Sequence, residues 1–407
     1  MTTTPLPDTV PQRSVLIVQR RLTHYRVRLF EQLHDYLLPH GVKLLLSTGE
    51  PSPSEKLKND SATLSWAIPL TTRYWLGERV CWQPFARAVG ALRPELVIMP
   101  QENRLLYNLI ALFVQRPKRV AFWGHGANLQ SSRPDGLRER FKRWTSRRVD
   151  WWFGYTEVSR QQVEKIGFPP ERITILNNAI DTADLHRQLA GISDAELRAF
   201  AQRFRLSPGR TGLYIGSLYP DKRIDLLLEA ATLIRAAVPD FSLLIAGDGP
   251  ERGWLQTEIA SRPWIHWLGL SMGRDKALAL RSCSLILNPG MVGLSILDAF
   301  ACGAPLVTTA SVGHSPEIAY LKPGHNGLLA PADARGYAAE VISLLARPER
   351  LARMAAAAHD SASEFSLEAM VERFGQGILQ CLETAPLKRG SHTQSTQSPA
   401  PSTRRHA

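Results

Sequence analysis

The chain of 407 residues lacks most features that mark secreted, membrane-spanning or metal-binding proteins. Its four cysteines, Cys81, Cys283, Cys302 and Cys381, form no CxxC pair, which excludes a disulfide scaffold and indicates a reducing, cytoplasmic setting. The longest apolar run, residues 105–114, is too short to cross a bilayer. No Asp-x-Asp pair occurs, and no His/Cys cluster has the spacing of metal ligands. The sequence therefore predicts a globular protein without a bound metal.

Negative charge is also scarce, because 49 Lys and Arg residues outnumber 37 Asp and Glu residues and leave a net charge of +12. The excess is uneven: residues 14–180 carry +11, residues 181–385 carry −3 and residues 386–407 carry +4. We expect residues 1–13 and the basic tail at 386–407, which is rich in Ser, Thr, Gln and Pro, to be disordered. No helix-turn-helix, RRM, KH or zinc-finger pattern accompanies the charge, so we expect no nucleic-acid partner.

Short apolar runs that alternate with helix-length segments indicate an α/β fold. Their nearly continuous apolar character is typical of parallel strands buried on both faces of a sheet. The series begins again after residue 210, which predicts two Rossmann-like, doubly wound domains, residues 14–180 and 181–385, with 178–210 as their connection. The predicted strands are residues 15–18, 42–46, 96–99, 120–123, 151–155, 173–176, 212–215, 242–246, 265–268, 285–287 and 306–308.

Ligands of open parallel sheets bind at the carboxyl ends of strands, and the segment after residues 285–287 suits this role. Gly290 and Gly293 allow the backbone to approach a ligand closely, and a helix predicted over residues 294–302 begins beside them. Its free N–H groups and positive dipole end suit a phosphate, and Asp298, about one turn further, suits ribose hydroxyls. The pattern is equally typical of a Gly-rich turn before a core helix.

Two further loops at predicted strand ends favour the ligand interpretation. The loop from Gly216 to Lys222 leads into a helix, and a lysine near a helix N-terminus is unfavourable unless it has an anionic partner. The alternative is an ordinary surface lysine. The loop from Ala246 to Pro250, which contains Gly247, again places glycines at a strand end. The three loops together predict a phosphate-binding edge.

These segments resemble the donor domain of the retaining glycosyltransferases of family 4. The matching elements are GxL-x-x-x-K at 216–222, AGDGP at 246–250, DAFACGAP at 298–305, a GG-x-x-E-like element at 313–317 and HNGLL at 325–329. The first half is similar to the family in HYRVRLFEQL at 24–33 and WGHG at 123–126. The resemblance covers about residues 14–385. It implies the GT-B fold, in which two Rossmann-like domains face each other across a cleft and the last helix packs back on the N-terminal domain.

The resemblance also implies roles for individual residues. Lys222 corresponds to the lysine that neutralises the donor diphosphate, and Asp298 to the second glutamate of the paired-acid motif, which holds the ribose. The first glutamate, which contacts the sugar, falls on Gly290, as in a subset of the family that lacks this acid. Ser217 replaces a phosphate-binding arginine, and His314 replaces a glycine. The donor-binding residues predicted in this way are Gly216, Ser217, Lys222, Gly247, Gly290, Gly293, Leu294, Asp298 and Glu317.

In the first half, the resemblance places His125 close to the donor sugar and the acceptor. A lone histidine at a strand end is more often structural, but here glycines flank it on both sides, and we predict that His125 and Lys222 are catalytic.

The residues after the first strand, His24, Tyr25 and Arg26, are expected to face the cleft and the acceptor. The alternatives are a core position for Tyr25 and a solvated charge for Arg26. We interpret Asn177 and Asn178, at the connection between the domains, as turn formers.

The resemblance implies a retaining glycosyltransferase that moves a sugar from a UDP- or GDP-sugar to a glycan or lipid-linked acceptor in the assembly of bacterial surface polysaccharide, lipopolysaccharide or exopolysaccharide. Negative charge builds on the leaving phosphate when the anomeric C–O bond breaks, so fixed positive groups stabilise the transition state. We expect Lys222 and the helix end near Gly293 and Leu294 to do this without a metal or other cofactor. The alternative, favoured by Gly290 and Ser217, is a catalytically silent sugar-nucleotide-binding or scaffolding subunit.

The segment at residues 138–148 contains six cations, one acid and two aromatic residues. A basic amphipathic segment with Phe and Trp is typical of shallow contact with an anionic membrane, whereas the alternative is a solvated helix with extended arginines. We therefore expect peripheral association with the inner face of the cytoplasmic membrane. The predicted membrane-contact residues are Arg140, Lys142, Arg143, Trp144, Arg147 and Arg148.

Overall fold

The computed structural model describes residues 13–56, 60–102, 104–115, 117–126, 137–310 and 313–387. Almost all of the two segments that we expected to be disordered lie outside these ranges. Arg13, which falls in the first of those segments, instead begins the first strand.

The N-terminal half contains one parallel sheet and a small hairpin. The strands are β1 (Arg13–Gln19), β2 (Val42–Gly49), β3 (Ile68–Leu70), β4 (Arg73–Trp75), β5 (Val80–Trp82), β6 (Leu96–Pro100), β7 (Arg119–Gly124), β8 (Trp151–Gly154) and β9 (Ile173–Ile175). Seven of them form the sheet in the order β3-β2-β1-β6-β7-β8-β9, and β4 pairs with β5 in antiparallel fashion. All six residues of β7, an interior strand, are buried, as expected of a sheet covered on both faces.

The C-terminal half contains a second parallel sheet of six strands. They are β10 (Thr211–Ile215), β11 (Ser242–Ala246), β12 (Ile265–Gly269), β13 (Leu285–Leu287), β14 (Leu306–Thr309) and β15 (Gly327–Ala330). Their order, β12-β11-β10-β13-β14-β15, reverses direction at β10, and such switch points are where open α/β sheets bind ligands. The carboxyl ends of β10, β11 and β13 therefore define the edge at which a donor site is expected.

Helices cover both sheets. In the first half they are α1 (Val27–Leu37), α2 (Pro53–Lys56), α3 (Ala86–Leu92), α4 (Tyr107–Ile110), α5 (Leu137–Ser146) and α6 (Glu157–Lys165). The remainder are α7 (Ala183–Ala190), α8 (Asp194–Phe204), α9 (Ile224–Ala237), α10 (Arg252–Ile259), α11 (Gly273–Ser282), α12 (Ser295–Cys302), α13 (Ala334–Leu345), α14 (Pro348–Glu364) and α15 (Leu367–Glu383). The predicted connection thus contains two helices, α7 and α8, which pack against α11.

The last helix, α15, returns to the N-terminal half, where it packs against α1, β8 and β9. Two glycines allow the close approach. A Cβ on Gly375 would lie 2.2 Å from the ring of Tyr36, and a Cβ on Gly377 would lie 2.4 Å from Oγ1 of Thr174. Phe374, which precedes Gly375, packs against the rings of Trp123 and Phe153. The C-terminal end of the chain therefore ties the two halves together.

The two-sheet α/β fold and all eleven predicted strands are confirmed. The prediction omitted β3, β4, β5 and β15, which have only three or four residues. The proline in β3 and the arginine in β4 interrupt the continuous apolar runs by which the other strands were recognised.

Candidate functional site

The carboxyl ends of β10 and β11 carry two glycine-containing loops that touch each other. Gly216 follows β10 with φ 152°, and Gly247 follows β11 with φ 154°. A Cβ on Gly247 would lie 1.8 Å from the carbonyl oxygen of Gly216. The N–H of Leu218 donates to the carbonyl oxygen of Asp248 at 3.0 Å, which fastens the loops together. Both glycines therefore lie at the expected edge, where Gly247 has no space for a side chain.

Lys222 ends the turn Pro220–Lys222 that leads into α9, and its side chain is buried. Its Nζ donates to the carbonyl oxygen of Met291 at 2.5 Å. Burial lowers the pKa of Lys222, whereas the carboxylates of Asp221 and Glu317 act in the opposite direction. An ammonium group has three N–H donors, and within the described ranges Met291 accepts the only hydrogen bond that this side chain makes. Two donors are thus available for an anion.

Gly290 lies directly against the backbone of the loop at residues 216–222, which we call the lysine loop. A Cβ at this position would lie 2.3 Å from the carbonyl carbon of Lys222 and 2.4 Å from the carbonyl oxygen of Asp221. The N–H of Met291 donates to that same oxygen at 2.8 Å. The position at which the family has its first glutamate therefore has no room for a side chain while Lys222 occupies its present place.

His314 also holds the loop between β13 and α12 in place. Its Nδ1 accepts a hydrogen bond from the N–H of Val292 at 3.1 Å, and Nε2 lies 2.8 Å from the carbonyl oxygen of Thr309. This network assigns a neutral imidazole with its proton on Nε2. The N–H of Ser315 donates to the carbonyl oxygen of Val292 at 3.0 Å. The sequence showed His314 only as a substitution for glycine and gave no sign of this positioning role.

Helix α12 begins just beyond this loop. In the part of the chain that the structure describes, the N–H groups of Gly293 and Leu294 donate to no backbone carbonyl, so the helix presents them at the same edge as Lys222. Asp298, the fourth residue of α12, is only 6% exposed. Nζ of Lys276, from α11, lies 2.7 Å from its Oδ1. The sequence offered no signal for Lys276, which belongs to a different helix.

A chain of buried polar groups joins the two halves beside this edge. Arg26 donates to Oδ1 of Asn178 at 2.6 Å, and Nδ2 of Asn178 donates to Oε1 of Glu317, also at 2.6 Å. All three residues are buried. The guanidinium of Arg26 lies 5.2 Å from the ring centre of Trp123 and 5.9 Å from that of Tyr155. Arg26 is therefore not a solvated charge, and Asn178 is more than a turn former.

Tyr25 is half-buried, and its ring centre lies 5.3 Å from the Arg26 guanidinium. It is therefore not a core residue, and it packs against Arg26. His24 is exposed, and its Nδ1 lies 3.3 Å from the carbonyl oxygen of Asp60. His125 is also exposed, with its ring 4.5 Å from that of Tyr155, whose pKa burial raises to about 12. Tyr155 thus contacts two of the first-half candidates, Arg26 and His125.

An ion network lies next to these residues and was not predicted. Arg20 bonds to both carboxylate oxygens of Glu55, at 2.5 and 2.6 Å, and to Glu102 at 3.2 Å. Arg21 pairs with Asp60 at 2.6 Å. Burial acts to raise the pKa of Glu55, but hydrogen bonds from Arg20 and from the Ser52 N–H outweigh it and lower this pKa to about 2. Beside the network is a polar cavity of about 170 Å³, lined by Gln19, Arg20, Arg21, Thr23, Tyr25, Arg26, Pro100, Glu102, Trp123 and Tyr155.

The basic segment forms α5 and the turn after it. Arg140, Arg143, Arg147 and Arg148 are exposed, and the side chain of Lys142 lies outside the described residues. Trp144 is 45% exposed; it stacks on Phe113 at 5.1 Å, and Arg148 lies over its ring at 4.7 Å. Phe141 on the same helix is 47% exposed. Arg147 donates to the carbonyl oxygen of Ile166, so this cation is tied to the protein.

The structure therefore brings Gly216, Lys222, Gly247, Gly290, Gly293, Leu294 and Asp298 to one sheet edge, with Glu317 linked to the first half. Ser217 is exposed on the lysine loop. Over the described ranges, no group of three or more His, Cys, Asp or Glu side chains could hold a metal ion. No helix in the described part of the chain is long and apolar enough to cross a membrane.

Two family sequence models match this chain. One, described as "Glycosyl transferases group 1", matches residues 209–347, and the other, "Glycosyltransferase Family 4", matches residues 27–184. D-inositol 3-phosphate glycosyltransferase of Thermobispora bispora is 29% identical over 247 residues, covering 55% of this chain and 54% of that protein. O-antigen chain mannosyltransferase B of Escherichia coli is 27% identical over 203 residues, covering 47% of this chain and 50% of that protein. The chain spans about half or less of the length of the curated relatives it matches.

Similar solved structures share the whole fold. HepE of Anabaena, in complex with UDP, has a TM-score of 0.66 at 18% identity and covers 90% of this chain and 99% of its own. A glycosyltransferase from Rickettsia africae has a TM-score of 0.65 at 14% identity, with coverage of 91% and 99%. At these identities the structures establish the fold alone. The chain therefore belongs to the glycosyltransferases of the family 4 type and has the GT-B fold that its motifs implied.

Proposed function

We propose that the chain is a retaining glycosyltransferase that transfers a sugar from a UDP- or GDP-sugar to a glycan or lipid-linked acceptor, in bacterial surface polysaccharide, lipopolysaccharide or exopolysaccharide assembly. The observation that carries the proposal is the buried ammonium of Lys222, fixed at 2.5 Å from the Met291 carbonyl oxygen beside the N–H groups of Gly293 and Leu294. A buried cation with unused donors is costly unless an anion completes it. HepE, which shares this fold, was crystallised with UDP and with UDP-glucose, which supports a nucleotide donor.

The chemistry requires charge stabilisation at the leaving group. As the anomeric C–O bond breaks, its electron pair goes to the diphosphate oxygen. The acceptor oxygen forms the new bond to the anomeric carbon, and its proton passes to the departing diphosphate. Lys222 and the end of α12 are fixed before the reaction, so they stabilise the developing charge without reorganising. We propose that they take the place of a divalent metal, and that His125, next to Tyr155, contacts the donor sugar or the acceptor.

We further propose that the polar cavity beside Arg20 and Tyr25 receives the acceptor. Its wall combines charged hydrogen-bonding groups with the aromatic faces of Tyr25 and Trp123, a combination suited to a sugar with many hydroxyls. The similarity to an O-antigen chain mannosyltransferase supports an acceptor of the glycan class.

The test begins with nucleotide binding. UDP, GDP, ADP and dTDP are compared by thermal shift, because a ligand that binds only the folded protein raises its unfolding temperature. UDP- and GDP-sugars are then offered with lipid-linked and glycan acceptors, with and without EDTA. We expect UDP or GDP to stabilise the chain, the matching sugar to be transferred, and EDTA to leave the rate unchanged. A rate abolished by EDTA and restored by Mg²⁺ would contradict the metal-independent step.

A second candidate, the silent sugar-nucleotide-binding subunit, is supported by the absence of space for an acid at Gly290. It predicts that UDP or GDP binds while no sugar nucleotide is consumed with any acceptor. If none of the four nucleotides binds, both candidates fail.

We also propose that α5 contacts an anionic membrane at the inner face of the cytoplasmic membrane. The exposed aromatic rings of Phe141 and Trp144, close to Arg140 and Arg143, support this location. Vesicles of neutral phosphatidylcholine with and without anionic phosphatidylglycerol provide the test.

We expect Arg140→Gln/Arg143→Gln to weaken sedimentation with the anionic vesicles, by about 1 kcal/mol for each charge. The matched control is Arg187→Gln/Arg335→Gln, which removes two exposed arginines from other elements. Equal loss in both double variants would show a general charge effect and contradict a specific role for α5.

A further inference from the structure

Helices α11 and α12 both begin at the carboxyl edge of the second sheet, and a lysine of the first lies against an aspartate of the second. Nζ of Lys276 is 2.7 Å from Oδ1 of Asp298. The Asp298 side chain is 9% exposed and that of Lys276 is 25% exposed, so the pair lies partly inside the protein and still reaches the edge. Salt screening and solvent competition are therefore weaker here than at a surface ion pair.

The start of α11 is held in place independently of this pair. Arg274, two residues before Lys276, contacts both carboxylate oxygens of Glu196 at 2.7 Å and donates to the carbonyl oxygens of Gln188 and Gly191. These contacts fasten α11 to α7 and α8. Lys276 is consequently presented to Asp298 by a fixed helix.

The Asp298 carboxylate retains acceptor capacity despite the nearby ammonium. Its Oδ1 is buried beside Nζ of Lys276, whereas no hydrogen bond in the described part of the chain engages Oδ2, which is the oxygen left to accept from a ligand. In the part of the chain that the structure describes, Lys276 is the only side chain that pairs with this carboxylate, so its loss leaves the carboxylate without a partner to orient it. A carboxylate that accepts ribose hydroxyls must be held in one orientation, because the hydrogen bonds weaken steeply when they are misaligned.

We propose that Lys276 is a positioning residue of the donor site, which holds the Asp298 carboxylate in the orientation that accepts the ribose hydroxyls of the nucleotide. This inference rests on the proposed function, because it needs a nucleotide at this edge. It also explains how an aspartate, one methylene shorter than the glutamate of the family, serves here: the lysine of the neighbouring helix fixes the shorter side chain. Lys276 acts through Asp298 and does not contact the phosphates.

The test compares UDP and GDP with their 2′,3′-dideoxy counterparts, which lack both ribose hydroxyls. In wild type, loss of these hydroxyls should weaken binding. Lys276→Met should weaken binding of the better nucleoside diphosphate by about tenfold or more, since it removes one partner of a largely buried charge pair. The same substitution should leave the affinity for the dideoxy counterpart unchanged. Lys276→Arg, which retains the charge, should restore most of the loss.

A double variant distinguishes an effect of Lys276 through Asp298 from a direct effect of Lys276 on the nucleotide. In an Asp298→Asn background, Lys276→Met should cause no further loss of affinity, because Lys276 has no remaining ionised partner to position. In the transfer assay, Lys276→Met should raise KM for the donor more than it lowers kcat. Unliganded unfolding of each variant is measured alongside, so that a folding defect is recognised.

Several outcomes would overturn the inference. An equal loss for the normal and the dideoxy nucleotide, or a loss that persists in the Asp298→Asn background, would place Lys276 on the phosphates. Unchanged UDP and GDP affinity in Lys276→Met would make the pair purely structural. If the wild-type chain bound none of these nucleotides, the proposed function itself would fail, which is a distinguishable result.

Discussion

Two regions lie at the carboxyl ends of parallel strands: the donor-side edge of the second sheet, and the cleft wall of the first sheet, by which we mean the ion network of Arg20, Arg21 and Glu55 and the cavity beside it. Different kinds of contact hold these two regions together. On the donor side the contacts are mainly backbone: Gly247 packs on Gly216, and Gly290 packs on the lysine loop. On the cleft wall they are side-chain ion pairs, centred on Arg20 and Glu55. A site built from backbone leaves a local signature in the sequence, whereas a site built from distant side chains leaves none.

The two regions meet at the polar chain from Arg26 through Asn178 to Glu317. Its cation comes from the first half and its carboxylate from the second. Because all three groups are buried, breaking the middle link leaves a buried donor and a buried acceptor without partners. The junction is thus held by side chains even though one side of it belongs to the donor half.

The largest effect is expected where the backbone packing is tightest. Gly247→Ala should lower the free energy of unfolding by about 3 kcal/mol or more, because the new Cβ would lie 1.8 Å from the Gly216 carbonyl oxygen at a positive φ of 154°. Gly253→Ala, on the exposed surface of α10 with no atom within 4 Å of its Cβ, is the matched control. It should be neutral or stabilising by up to about 1 kcal/mol. Urea unfolding of the two variants measures the difference, and similar values would contradict the backbone account.

A smaller effect is expected at the junction. Asn178→Ala should lower the free energy of unfolding by about 2 kcal/mol, because Arg26 and Glu317 each lose a buried hydrogen-bond partner. Asn177→Gly is the neighbouring control, since Asn177 has φ 51° and glycine adopts this conformation readily. If denaturant unfolding showed no larger loss for Asn178→Ala than for Asn177→Gly, the polar chain would not be holding the halves together.

The last comparison concerns the cleft wall and is measured as the dependence of stability on pH. The pKa of Glu55 is about 2 in the folded protein, below its ordinary 4.5, so its ionisation stabilises the fold fully above about pH 4.5, and this contribution is lost as the pH falls towards 2. Glu55→Gln should therefore flatten the dependence of the unfolding free energy on pH across this window. Glu229→Gln, at an exposed position of α9, should leave the dependence as in wild type. Parallel curves for wild type and Glu55→Gln would show that the ion network contributes nothing.

The difference between the regions also accounts for how far the sequence could be interpreted. The strands, the helix after β13, and the loops at Gly216 and Gly290 each depend on residues adjacent in sequence, and their apolar runs and glycines predicted them. Lys276, Asn178 and Glu55 obtain their roles from partners 22, 139 and 35 residues away. No local pattern encodes such pairs, because the fold must exist before they meet.

Gly290 is a second example of a feature that the sequence alone does not explain. The sequence indicates a glycine where the family has an acid, which is consistent with either an altered site or a silent one. Only the structure shows that the backbone of Lys222 occupies the space of the missing side chain. The glycine at position 290 and the present place of Lys222 therefore depend on each other, because a side chain at 290 would collide with the backbone of Lys222.

The central claim, that Lys222 stabilises the leaving diphosphate, is tested most directly by turnover of Lys222→Met. Exposed Lys322, which lies 3.5 Å from Glu364, provides the matched control Lys322→Met. With the sugar nucleotide that wild type consumes, kcat of Lys222→Met should fall by about 100-fold or more, as for loss of a preorganised charge-stabilising donor, while kcat of Lys322→Met stays at the wild-type value. A kcat for Lys222→Met equal to that of wild type would contradict the account.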